Sequence, residues 1–154
     1  MRYLAVASVM SVVVLAGHLH NAPTAVSRAD DACAMLTPAD IAKALSWKVS
    51  GGVAGKPIPG VLGHCTWTTS DNAHVIVTLA DARHIAFTMQ TGEGSGAKAV
   101  PGIGTKAVSV NAGGLNGWIV TVADAKGGFG LSVLGGPATE DNALALARIV
   151  ESRR

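Results

Sequence analysis

Aromatic side chains are scarce in this chain of 154 residues: three tryptophans, two phenylalanines and one tyrosine. Alanine, valine and glycine supply most of the apolar half, so a core must be packed from small side chains and each tryptophan carries unusual weight. Charge is scarce too, at 14% of residues. Setting aside Arg2 and Arg28 leaves ten basic and ten acidic residues with no basic cluster, and a neutral domain of that kind is a poor nucleic-acid binder. Cysteine occurs only at Cys33 and Cys65, a separation that excludes a Cys-x-x-Cys motif.

What is present at the N-terminus reads as an export signal. Arg2 supplies a positive start, Leu4 to Ala16 is apolar and uncharged, and small residues follow. Residues 1–29 are therefore expected to be a secretory leader, with the mature start between His18 and Asp30. The alternative is an uncleaved anchor from Tyr3 to about Leu19, although the apolar run is short for a membrane span. Leu15-Ala16-Gly17 matches the first three positions of a bacterial lipobox, but His18 stands where the acylated cysteine belongs. Outside the cytoplasm, two cysteines and no third favour a structural Cys33–Cys65 disulfide. In the chain-entropy description, closing that loop stabilises the fold by roughly 3 to 4 kcal/mol.

The remainder, residues 30–154, reads as one α+β domain. Thr37 is placed to cap a helix with Pro38 at its first position, Asp40 as the capping-box acid and Leu36 with Ile41 as a staple; this helix runs to about Leu45 or Trp47. Gly51 to Gly63 reads as a loop. His64 to Ala80 reads as a hairpin with two candidate registers. A two-residue turn at Asp71-Asn72 sets Cys65 and Trp67 opposite Thr78 and Ile76. A three-residue turn, Asp71 to Ala73, pairs Cys65, Trp67 and Thr69 with Leu79, Val77 and Val75, and is preferred because it makes one coherent apolar face. It sets His64 and His74 on the polar face, six positions and about 20 Å apart.

Asp81 to Gln90 reads as a second helix, with Ile85 and Met89 on one face and strand continuation as the competing assignment. Thr91 to Gly104 reads as a glycine-rich loop. Three strands follow, near residues 105–111, 115–123 and 128–134; Trp118, Val120 and Val122 share a face, as do Phe129, Leu131 and Val133. Thr139 caps the closing helix, whose buried stripe is Ala143, Leu146, Ala147 and Val150. The expected order is α-β-β-α-β-β-β-α, with an antiparallel sheet of about five strands.

The string Cys33-Ala34-Met35-Leu36-Thr37-Pro38-Ala39-Asp40-Ile41, then Cys65-Thr66-Trp67, Val100-Pro101-Gly102-Ile103-Gly104 and a late Gly-Gly-Phe, resembles a group of actinobacterial exported proteins. Many of these are lipoproteins, and they are similar to domains of the PsbP-like α/β/α sandwich. The resemblance implies the same disulfide, Trp67 in the core and residence in the cell envelope. It implies no catalytic residue, and His18 departs from the lipoprotein pattern.

Chemical motifs are few. His18-Leu19-His20 is expected to leave with the leader, His64 and His74 lie too far apart in the preferred register and His84 is on a helix, so no metal is expected. Gly94-Ser95-Gly96 is preceded by Glu93 and is not a nucleophile elbow, nor does it have a phosphate loop's context. Glu140 and Asp141 suit a helix start better than a carboxylate pair. Trp47, beside Lys48 and a loop, is the candidate ligand or partner contact. These residues point to a non-enzymatic exported domain without cofactors, secreted or in the envelope, binding a partner protein or an apolar small molecule between helix and sheet. The rival readings are a secreted hydrolase assembled from distant residues and a signal-anchored subunit of a membrane assembly.

Overall fold

Seven strands form a single antiparallel sheet, and helices lie on both of its faces. The computed structural model describes residues 28–154 apart from Pro57 and Lys126. The expected leader therefore lies outside the described residues, save for Arg28 and Ala29, which open the first helix. In chain order the elements are α1 (Arg28–Ala34), α2 (Pro38–Leu45), β1 (Val53–Ala54), β2 (Val61–Thr68), β3 (His74–Ala80) and α3 (Ala82–Gly94). They continue with β4 (Lys98–Ala99), β5 (Lys106–Asn111), β6 (Gly117–Asp124), β7 (Gly127–Leu134) and α4 (Glu140–Ser152). Across the sheet the order is β1-β2-β3-β7-β6-β5-β4, so the two halves of the chain meet where β3 pairs with β7.

The α+β class, the antiparallel sheet and the disulfide agree with the sequence reading; the number and order of elements do not. Two strands beyond the expected five, β1 and β4, are two-residue edge segments inside the stretches read as loops. Two residues carry no periodicity, and both form by lying against a longer neighbour, β2 and β5 respectively. Helix α1 was not expected either. Its polar sequence has no amphipathic stripe, and it is held from its far end by Cys33. Strand β2 starts at Val61 rather than His64, and α3 runs four residues past Gln90 to Gly94.

Local chemistry accounts for the helix starts. Thr37 Oγ1 accepts from the Asp40 amide and the Asp40 carboxylate accepts from the Thr37 amide, closing the capping box at α2. Asp81 caps α3 through the His84 amide at 2.8 Å, and Thr139 with Asn142 repeats the reciprocal cap at α4.

The hairpin register differs from both expected pairings. Cys65 faces Val77 and Trp67 faces Val75, because Thr69 stays bonded to Ala73 and the turn is Ser70-Asp71-Asn72 with Asn72 left-handed at φ 59°. The shift from the preferred register is two residues, which leaves every side chain on the face expected for it. His64 and His74 are consequently four ladder positions apart, about 13 Å, rather than six.

Helices α1, α2 and α4 close one face of the sheet. Beneath them lie Cys65, Trp67, Val75, Val77, Val120, Val122, Phe129, Leu131 and Val133, packed against Leu36, Ile41, Leu146 and Val150. The Cys33–Cys65 bond, with Cα atoms 5.0 Å apart, ties α1 to β2. Gly52 presses so closely on Cys65 Sγ and the Trp67 indole that no side chain fits there. Two arginines fasten the end of α4: Arg153 to Asp40 at 2.7 Å, and Arg154 to Asp124 at 2.6 Å, the latter guanidinium lying over the buried Phe129 ring. The buried Ser109 hydroxyl bonds Glu140 and pins the start of α4 to β5.

Two outcomes follow. Replacing both cysteines (C33A/C65A) is expected to lower unfolding stability by about 3 kcal/mol, read by urea denaturation, with reduced wild type matching the variant. The hydrogen bond from Arg153, aided by those from Thr37, lowers the Asp40 pKa from 3.8 to about 2. A carboxylate whose folded pKa lies below its unfolded value contributes stability above about pH 4 that is lost as pH falls toward 2. Allowing for solvent screening, wild type should lose about 1 kcal/mol more than D40N over that interval.

Candidate functional site

The second face of the sheet is open over much of its area. Side chains directly opposite in an antiparallel ladder share a face, so the register lays them out in rows. One row runs His64, Thr78, Gly130, Thr121 and Val108. The next runs Val53, Thr66, Ile76, Ser132, Ile119 and Val110, and a third holds Thr68, His74 and Leu134. None of these residues is an acid, a lysine or an arginine. Among the described residues only α3 covers this face; it packs through Ile85 and Met89 on β5, β6, β7 and the Ala80 end of β3, leaving β2 and the rest of β3 without a helix above them.

Between α3 and the sheet lies a groove of about 270 Å³. Its floor is Val108, Val110, Ile119 and Thr121; its wall is Phe87, Thr88, Thr91, Gly92 and Ser95. Phe87 is 67% exposed and Val53, at the β1 edge of the same face, is 66% exposed. At the centre of the sheet, a Cβ built on Gly130 meets nothing within 4 Å. Each wall hydroxyl donates to the helix backbone one turn back: Thr88 to His84 O at 2.9 Å, Thr91 to Phe87 O at 3.0 Å and Ser95 to Thr91 O at 3.1 Å.

Charge is kept off this surface. Lys106, on the same face of β5, is tied to Glu93 at 2.7 Å. Lys98 is opposite Ser109 and so belongs to the other face. Among the described residues no group of three or more histidines, cysteines or acids is placed to hold a metal ion. His74 Nδ1 lies 3.2 Å from Thr68 Oγ1, and the His64 imidazole lies against Gly55.

Cys33 and Cys65 are joined as expected. Trp47 is 9% exposed, packed over the end of α2 with its indole filling the space a side chain at Gly136 would need. Its edge borders two clefts, one shared with Asp71 and Pro137 and one with Pro38 and Ala42, both away from the α3 groove. Sequence reasoning missed the groove. The signal available was the stripe Thr88, Thr91 and Ser95 at helical spacing, masked because α3 was expected to stop at Gln90. Among the described residues no helix is long and apolar enough to cross a membrane, and the disulfide is of a kind that persists in oxidising, extracytoplasmic compartments. No family model, curated protein or solved structure matches this chain.

Proposed function

We propose that this chain is a non-enzymatic, exported domain that binds an apolar small molecule on the open face of its sheet, against α3. The observation that carries the reading is the uncharged groove beneath Phe87, continuous in the ladder with the empty space above Gly130. An apolar ring exposed beside a β-branched, uncharged floor stabilises nothing until something covers it.

Size favours a small molecule over a protein partner. The open rows cross six strands and span four residue steps, about 24 Å by about 13 Å, well below the roughly 800 Å² per partner of a stable protein interface. A hydrolase needs a nucleophile, a base and an orienting acid within reach of one another. Here the hydroxyl partner of His74 is a threonine, and among the described residues no carboxylate is hydrogen-bonded to an imidazole. A contact through Trp47 is a separate proposal, at the cleft it shares with Asp71 and Pro137.

Binding of a neutral apolar fluorophore such as Nile red to the folded domain tests the reading. Enhanced emission is expected with wild type and a loss of at least fivefold in affinity with F87D. Gly130→Leu, which projects into open space from an interior strand position, should weaken the dye similarly while leaving the melting temperature unchanged or higher. Absence of dye binding by the folded wild type would overturn the reading.

A further inference from the structure

The wall of the groove specifies one part of its ligand. Thr88, Thr91 and Ser95 all line the slot, and each has committed its hydroxyl proton to a backbone carbonyl of α3. A hydroxyl has one proton and two lone pairs, so these three oxygens present acceptors to the slot and no donor. The rest of the lining is Phe87, Val108, Val110, Ile119, Gly92 and Thr121, with no charged side chain. A carboxylate brought here finds no cation and only the neutral Thr121 hydroxyl as a side-chain donor, and leaving an ionised group so under-paired is unfavourable. A ketone or ether oxygen meets the same three acceptors on the wall and finds a single uncommitted hydroxyl, that of Thr121 on the floor.

Resting on the apolar-site reading above, we propose that the slot selects an uncharged alcohol: an apolar body that lies on the Val110–Ile119 floor and one O–H that donates to the α3 hydroxyl oxygens. The volume sets the size. A groove of about 270 Å³ is at the small end for a ligand site and suits a short alcohol rather than a large molecule. The match is one of charge as well as size, a neutral occupant for a neutral surface, since Lys106 on this face is held by Glu93.

The test is an NMR titration of the folded domain with 1-octanol, 1-methoxyheptane and octanoate, following the amides of Val110, Ile119 and Thr121. Octanol and the ether have the same heavy-atom count and differ in the donor. Octanol is expected to bind at least fivefold more tightly than the ether and at least tenfold more tightly than octanoate. In T88V/T91V/S95A, which removes all three wall hydroxyls, octanol and the ether should bind about equally. Equal binding of octanol and ether by wild type would overturn the donor assignment while leaving the apolar site standing. Tighter binding of octanoate would overturn it as well, by showing selection of an anion. If none of the three shifts these amides, the assignment falls together with the reading it rests on.

Discussion

The packing of Cys65 and Trp67 into the covered face of β2 is the constraint on which the rest of the structure depends. Cys65 is fully buried and bonded to Cys33, Trp67 is the largest of the fully buried side chains, and Gly52 lies flat against both. Because side chains alternate along a strand, holding these two inward sends Thr66 and Thr68 outward. The ladder passes that choice on: Val75 and Val77 on β3, then Leu131 and Val133 on β7, then Val120 on β6 all face the same helices. One disulfide and one indole thus set the sidedness of a sheet whose core otherwise consists mostly of aliphatic residues.

Sidedness creates the candidate site. Three helices crowd the Trp67 face, and the ion pairs of Arg153 and Arg154 fasten α4 there. Among the described residues the opposite face receives α3 alone, positioned where β3 ends and the Asp81 cap turns the chain back over the sheet. What remains exposed beside it is β-branched and uncharged. Such a face costs apolar hydration in the free protein, which a bound apolar molecule would relieve.

Legibility in the sequence followed the physics of each element. Capped helices were readable because caps are local: Thr37 with Asp40 and Asp81 before α3 each announce a start within four residues. The long strands were readable from alternation, as in Phe129, Leu131 and Val133. Edge strands β1 and β4 were not, since two residues carry no period and their pairing is set by distant neighbours. The hairpin register was missed by two residues because Asn72 takes a left-handed conformation that the sequence only permits. The face assignments survived that slip, as parity is unchanged. The groove was hidden for a different reason: its wall depends on α3 continuing through Gly92 to Gly94, against the helix propensity of glycine. Trp47 looked like a rim residue from its neighbours in sequence, yet Gly136, far along the chain, receives it.

The unequal covering of the two sheet faces is tested most directly by solvent relaxation of methyl groups with a soluble, neutral gadolinium chelate. Methyls of Ile76, Ile119 and Val110 on the α3 side are expected to relax strongly, while those of Val75, Val77 and Val120 on the Trp67 side stay protected. Equal protection of the two sets would contradict the open face and the binding site built on it.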